Sequence, residues 1–472
     1  VSRPPPLEPG QRIDGFELQE RVHHGGMGSL WRVTRPDLTQ PAVMKVPAIQ
    51  EDPTAIVGFE VEQMILPLLS GPHVPRFIAA GGFEAQPYIV MEYIEGQSLR
   101  PKLEQAPLPA LQVASIGAQV AEALHDLHQQ HVIHLDLKPS NILFRPGGAA
   151  VLVDYGLARH ERLPDLLAEE FRLPLGTGPY ISPEQVLRVR DDPRSDLFAL
   201  GAVLYHLATG QRAFGNPTTV SGLRKRLYRA PTPPRAHNPD CPPWLQEIIL
   251  HCLEVDAEQR YGSAAQVAFD LTHPQTVALT ARANWTGRLS IGERLRRWVR
   301  SVGATPERRS VTRQLQRAPI VVVAVDASQE WEALADAVRA AARRVLQSEP
   351  QARLACVSVL KTSRIAPEAP TDEAGRNLHV QRLVQLQHWA RPLALAPQRV
   401  TYHVLEAPDP AEAIIDYARA NRVDHIIVGC RGLSGLRRYL GSVSTRVVAE
   451  APCSVTVVKV PREEMAQAAL AG

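Results

Sequence analysis

The chain has 472 residues, 44% of them apolar and 21% charged, with a formal net charge of +3. That length exceeds one ordinary core and predicts roughly two to four domains, while the balance of side chains excludes a disordered or low-complexity chain. Five cysteines with no CxxC pair among them argue against a disulfide framework and predict reduced, unpaired thiols.

No run approaches the roughly 18 apolar residues of a membrane span, and the opening "VSRPPPLEPG" lacks the charged and apolar regions of a signal peptide. A cytoplasmic location is therefore expected. Residues 1–12 read as a Pro-rich tail. From 13 to 93 the chain alternates as short strands, "FELQERV", "SLWRVTR", "PAVMKVP" and "PYIVMEY", interrupted by one helical stretch, "TAIVGFEVEQMILPLLS". From 94 to 273 helical periodicity dominates, as in "LQVASIGAQVAEALHDLHQQ" and "SDLFALGAVLYHLATG", the latter ending on a stop signal at Gly210.

Residues 274–317 read as a linker whose 282–317 stretch holds ten Arg and two Glu, so the rest of the chain is net negative. Within it "IGERLRRWVRSVG" puts Ile291, Leu295, Trp298, Val299 and Val302 on one helical face. Such a basic amphipathic stretch either packs on a neighbouring, acidic part of the chain, which is the commoner outcome, or meets an anionic surface. No nucleic-acid partner is expected. From 318 to 461 strands and helices alternate, beginning with "PIVVVAVD" and ending with "CSVTVVKV", which predicts a parallel sheet covered on both faces. Residues 462–472 read as a tail.

The first domain carries a series of motifs in a fixed order. "VHHGGMGSL" supplies Gly25, Gly26 and Gly28 between two strands; Lys45 follows in "AVMKV", Glu62 on the next helix, Asp136, Lys138 and Asn141 in "HLDLKPSN", and Asp154 at the head of "DYG". Glycines let backbone amides approach phosphate oxygens. A lysine neutralises phosphate charge, carboxylate and amide oxygens suit a hard cation, and an aspartate can accept a proton. Residues 13–273 thereby resemble the eukaryotic-like bacterial serine/threonine protein kinase family.

The resemblance implies an α+β bilobal fold, with an N-lobe over about 13–93 and a C-lobe over about 94–273. It implies ATP with Mg²⁺ or Mn²⁺, and protein substrates that present Ser or Thr hydroxyls. Asp136, Lys138 and Lys45 would be catalytic, and Asn141 and Asp154 the metal ligands. Gly25, Gly26, Gly28, Glu62 and Val22 would belong to the nucleotide site, with Glu92 and Ile94 in "MEYIEG" offering backbone groups to adenine beside the gatekeeper Met91. Glu184 would pair with Arg260, and Asp196 would brace the catalytic loop.

Two positions depart from the family pattern. Leu135 stands where the family usually carries an arginine that binds an activation-segment phosphate, and the segment from Asp154 to Gly176, "DYGLARHERLPDLLAEEFRLPLG", contains no Ser or Thr. The two absences agree, and they predict a segment ordered by packing or by a partner instead of by phosphorylation. His23 occupies the usual first glycine of the loop; it either crowds the nucleotide or points to solvent. "RRSV" around Ser310 is a weak candidate for self-modification.

In the last domain Gly429, Gly432 and Gly441 follow a strand, and Gly441 with Ser442 opens a helix in "VGCRGLSGLRRYLGSVSTRVVAEAPCSVTVV", where amides and a hydroxyl converge on a phosphate-sized space. With "IVVVAVD" this resembles the universal stress protein family over 318–461, implying an α/β parallel-sheet, Rossmann-like domain. The resemblance implies a second ATP or AMP site, with Asp326 at the nucleoside and Gly432, Gly441, Ser442 and Ser444 at the phosphates, although Gly432 and Gly441 stand one residue closer than the usual pattern. It also implies a homodimer through the last strand, "SVTVVKV". Taken together, the chain reads as a serine/threonine protein kinase with a domain that senses nucleotide or mediates pairing; the alternative is a nucleotide-binding scaffold whose kinase fold signals without catalysis.

Overall fold

The computed structural model describes residues 7–25, 28–48, 53–285, 319–326, 332–362, 377–396, 399–430 and 442–459. Gly26, Gly432 and Gly441, Ser310 and the amphipathic stretch 291–302 lie outside these described residues.

The alternating strands of the first lobe form a six-stranded antiparallel sheet in the order β1 (Arg12–Ile13), β2 (Phe16–Gly25), β3 (Gly28–Thr34), β4 (Ala42–Pro47), β6 (Tyr88–Glu92) and β5 (Phe77–Gly81). Side chains along a strand point alternately to its two faces. Met44 accordingly packs with Phe16, Leu18, Trp31 and Val90 on one face, while Val43 faces the other with Ile89 and Met91, against Ile56, Val57 and Phe59 of α1 (Pro53–Ile65). Lys45 shares the Val43 face and is thereby aimed at α1. Strand β5 escaped the sequence reading because "FIAAG" is short and three of its five residues are Ala or Gly, which carry little β-preference.

The second lobe contains α2 (Arg100–Glu104), α3 (Ala110–Gln129), α4 (Leu166–Glu170), α5 (Pro183–Val186), α6 (Arg194–Thr209), α7 (Val220–Arg224), α8 (Pro234–His237), α9 (Pro243–Cys252) and α10 (Ala264–Thr272). Helix α6 is buried along nearly its whole length and ends at Gly210, whose φ of 70° is open to glycine and whose N–H donates to the His206 carbonyl at 2.8 Å. Two short antiparallel pairs, β7 (Val132–Ile133) with β10 (Arg159–His160) and β8 (Ile142–Phe144) with β9 (Ala150–Leu152), bring the loops between them to the cleft.

The second domain is a five-stranded parallel sheet in the order β13 (Val400–Ala407), β12 (Arg353–Lys361), β11 (Ile320–Ala324), β14 (His425–Gly429), β15 (Ser454–Val458). Val321 and Val323 meet α11 (Glu332–Ser348) and α12 (Leu378–Ala390) on one face, through Val338, Ala342, Leu386 and Trp389. Ile320 and Val322 meet α13 (Pro410–Asn421) and α14 (Ser442–Glu450) on the other, through Ile414, Ile415 and Val447. A sheet covered on both faces explains why its strands read as continuous apolar runs. Strand β13 and helix α13 lie against α4 of the first domain. Among the described residues no helix is long and apolar enough to cross a membrane.

Candidate active site

Six polar side chains form one unbroken chain across the cleft. Lys45 Nζ donates to Glu62 Oε2 at 2.5 Å and to Asp154 Oδ1 at 2.8 Å. Asn141 Nδ2 lies 3.5 Å from Asp154 Oδ2, 3.4 Å from Asp136 Oδ2 and 3.1 Å from the Asp136 carbonyl. Lys138 Nζ completes the series at 2.5 Å from Asp136 Oδ2. Strand alternation sets Lys45, and the other members come from α1, the loop after β7 and the loop after β9. Sequence separations of 17 and 109 residues are thus closed to contact.

The local electrostatics favour the charged forms of Lys45 and Asp154, while burial raises the pKa of the Glu62 carboxyl. Burial works against the Lys45 ammonium, but Asp154 and Glu62 outweigh it and raise its pKa. Burial also opposes the Asp154 carboxylate, and the Lys45 charge beside it wins, holding it down at about 2. Both are therefore ionised at neutral pH.

The catalytic loop is held from below by Asp196 in the first turn of α6. Its carboxylate accepts the N–H groups of His134 at 2.9 Å and Leu135 at 2.8 Å, and contacts His128 Nε2 at 2.9 Å. Leu135 is buried with φ of 60°, a left-handed conformation unusual for a branched side chain. Its carbonyl accepts from Gln185 Nε2 at 2.8 Å. His134 Nε2 sits 3.1 Å from the Val153 carbonyl, tying the loop to the strand that delivers Asp154. Thr177 reaches Asp136 Oδ1 with both its hydroxyl, at 2.6 Å, and its backbone N–H, at 3.1 Å.

Glu184 and Arg260 form a bidentate pair at 2.5 and 2.8 Å, with the arginine side chain fully buried. Glu92 is at the end of β6, where its carboxylate pairs with Arg145 at 2.5 Å. Ile94 and Met91 are buried beside it, and Val22 is exposed on β2. Gly25 and Gly28 face each other across β2 and β3. At Gly28 φ is 130° and a Cβ would fall 2.1 Å from the Val46 carbonyl, so only glycine fits. His23 is exposed on β2.

Asp154 and Asn141 each offer hard oxygens, with Asn141 Nδ2 at 3.5 Å from Asp154 Oδ2 and its Oδ1 accepting from Ser140 Oγ at 3.1 Å. Mg²⁺ is commonly held by one or two protein oxygens together with substrate phosphates, and that donor set fits a cation arriving with a nucleotide. Among the described residues no group of three or more His, Cys, Asp or Glu side chains could hold a metal ion.

The second domain has a cavity of about 450 Å³ at the carboxyl ends of its strands, lined by Asp326, Ser358, Arg382, Gly429, Ser442 and Ser444 among others. The sequence reading placed four of these six together and missed Ser358 and Arg382. It also missed Glu169 and Glu170 on α4, whose side chains contact the second domain across separations of 184 and 233 residues. An acidic pair in a segment free of Ser and Thr was the one available signal.

The protein kinase domain family model matches residues 16–271, and the universal stress protein family model matches residues 319–459. Over 259 residues, 54% of this chain, the sequence is 31% identical to a probable serine/threonine-protein kinase of Clostridium perfringens. Over 270 residues, 56% of this chain, it is 30% identical to serine/threonine-protein kinase PknB of Mycolicibacterium smegmatis. The chain spans 38% and 43% of the length of those two relatives. Among solved structures, the PknI kinase domain of Mycobacterium tuberculosis is 24% identical, covers 57% of this chain with 99% of its own, and gives a TM-score of 0.44.

Proposed function

Because the chain belongs to the protein kinase family, we propose that it is an ATP-dependent serine/threonine protein kinase. The observation that carries this reading is the continuous series from Glu62 through Lys45, Asp154 and Asn141 to Asp136 and Lys138. Lys45 neutralises the α and β phosphates and is kept in place by Glu62. Asn141 and Asp154 hold Mg²⁺, which neutralises phosphate charge when bound. Asp136 orients the substrate hydroxyl and takes its proton as oxygen bonds to the γ-phosphorus and the bond to the β–γ bridging oxygen breaks, releasing ADP. Lys138 steadies the transferred group. The nearness of Lys138 and Thr177 to Asp136 supports an aliphatic hydroxyl as acceptor.

We propose further that control does not run through phosphorylation of the activation segment. Leu135 is buried in a left-handed backbone conformation, and residues 154–176 contain no Ser or Thr, while the hydroxyl of Tyr155 is buried on the Leu152 carbonyl at 2.9 Å. For the second domain, the cavity beside Asp326, Ser442 and Ser444 supports nucleotide sensing. The placement of β15 at an open sheet edge supports pairing as a second reading.

Incubation of the full chain with γ-labelled ATP and Mg²⁺ tests the proposal. Phosphoserine or phosphothreonine should form with the wild type and fall to background with Asp136→Asn. Equal incorporation by the two would favour the scaffold reading. Calorimetric titration with ATP should find two sites on the wild type, one of them lost in an Asp326→Ala, Ser444→Ala double variant.

A further inference from the structure

A phosphate tether is missing at both of its ends, yet the activation segment is held. Helix α4 lies in the middle of the segment and is anchored first at its amino end. Asp165 accepts the Ala168 N–H at 3.2 Å and receives Arg190 Nε at 2.9 and 3.1 Å. At the carboxyl end the partners come from the other domain. Arg353 Nη2 donates to Glu169 Oε1 at 2.5 Å and Nη1 to Oε2 at 3.2 Å; the Tyr417 hydroxyl donates to Oε2 at 2.9 Å; His403 Nε2 lies 3.1 Å from the same oxygen. His403 Nδ1 contacts Glu170 Oε1 at 2.8 Å, and Asn421 Nδ2 donates to the Glu169 carbonyl at 3.3 Å.

These groups are built into their own domain. Arg353 Nη1 also donates to Thr401 Oγ1 at 2.8 Å, His403 Nε2 sits 2.9 Å from that same oxygen, and the His403 side chain is wholly buried. A two-pronged guanidinium on a carboxylate is the geometry that arginine offers to a phosphate. Glu169 is a fixed anion in the middle of the segment, and the arginine that meets it lies on β12 instead of in the catalytic loop.

We infer that Arg353, His403 and Tyr417 are positioning residues for phosphoryl transfer: by gripping Glu169 and Glu170, the carboxy-terminal domain takes the part of an activation-segment phosphate. The grip reaches the chemistry along two paths. Helix α4 packs on α1, which carries Glu62, and the segment continues to Thr177, which is bonded to Asp136. The second domain's grip falls upstream of Thr177, whereas Arg226 of the C-lobe secures the following stretch by donating to the Gly178 carbonyl at 2.6 Å. Both the Lys45–Glu62 and the Thr177–Asp136 contacts are closed while the domain is docked, so docking corresponds to the active arrangement.

Charge balance supports the same reading. The groups facing His403 are Glu169 and Glu170 on α4, Glu60 on α1, Arg353 on β12, Thr401 on β13 and Tyr417 on α13. Burial opposes the His403 charge, but hydrogen bonds to Glu169 and Glu170 raise its pKa to about 9. Burial likewise opposes the Glu169 carboxylate, and Arg353 brings it down to about 2. Desolvation, with Glu170 nearby, pushes Glu60 well up, and desolvation keeps the Tyr417 hydroxyl neutral. The His403 contribution to docking is complete below its free value of 6.5 and is lost as pH rises through about 9. Glu60, also raised, acts in the same direction. The Glu169 contribution is lost only as pH falls toward about 2.

This inference rests on the kinase reading, and full-chain variants test it with two independent readouts. Arg353→Gln should lower the transfer rate at least roughly tenfold, since removing one partner strands a buried charge. It should also speed amide exchange over 166–171. The Glu169→Gln, Arg353→Gln double variant should lose no more than the worse single, because the two act as one pair. The wild-type rate should decline from pH 7 to 9, and His403→Gln should flatten that decline at a lower plateau. A wild-type or faster rate for Arg353→Gln, multiplying losses in the double variant, or a wild-type pH profile for His403→Gln would each overturn the inference. If the wild type itself transfers no phosphate, the kinase reading fails separately, and unchanged exchange over 166–171 in Arg353→Gln would then overturn the docking claim by itself.

Discussion

Asp196→Asn examines how the catalytic loop is kept in shape. The carboxylate is fully buried and receives two backbone N–H groups, from His134 and Leu135, at 2.9 and 2.8 Å. Hydrogen bonds to a charged group contribute roughly 1.5–3 kcal/mol each. Asparagine keeps the size but offers one acceptor oxygen, so one N–H faces an amide donor and the other bond drops to neutral strength. A loss of about 2–4 kcal/mol follows from one charge-assisted bond removed and one weakened. Leu135 holds a left-handed φ of 60°, which costs about 1–2 kcal/mol for a residue with a Cβ. The lost restraint exceeds that strain, so Leu135 should relax and carry Asp136, the next residue, out of position. Misplacement by about 1 Å can cost roughly 100-fold in rate. Steady-state transfer at saturating ATP should therefore show kcat down by about that factor, with KM for ATP within about threefold, because Lys45 and Asp154 are delivered by other elements. An Asp196→Asn chain that unfolds earlier in urea yet turns over at the wild-type rate would refute this reasoning.

Phosphatase treatment of the full chain should change its activity by less than about twofold, since residues 154–176 contain no Ser or Thr and the Tyr155 hydroxyl is buried; a large loss would contradict the proposed control. His23→Gly should leave KM for ATP within about twofold, because the imidazole is exposed on β2; a clear fall in KM would restore the crowding alternative. A Cβ at Gly58 would sit 3.1 Å from the Gly156 carbonyl, so Gly58→Val should push α1 off the "DYG" turn and part Glu62 from Lys45. Overpacking of this kind costs about 1–3 kcal/mol, and kcat/KM for ATP should fall roughly tenfold.

The cleft chemistry was legible because each residue type sits at a spacing that the fold closes. Lys45 follows from strand alternation, Asp136 and Asn141 from one loop, and Asp154 from the end of an apolar strand. The doubly covered second sheet was legible from its continuous apolar runs. What stayed hidden depended on tertiary geometry. Leu135 reads in sequence as a missing arginine; in the fold it is a left-handed residue with its N–H on Asp196 and its carbonyl on Gln185. Glu169 reads as surface charge, and its partners Arg353 and Tyr417 lie 184 and 248 residues away. Sequence periodicity does not bring such positions together, and burial of the ions becomes visible only once the two domains are packed.

The most direct test of the central claim is anomalous diffraction from crystals of the full chain grown with Mn²⁺ and a non-hydrolysable ATP analogue. The account expects manganese bound by Asp154 and Asn141, with Lys45 on the α and β phosphates and the γ-phosphate facing Asp136. A nucleotide in the cleft with its metal away from Asp154 and Asn141, or with Lys45 turned from the phosphates, would contradict it.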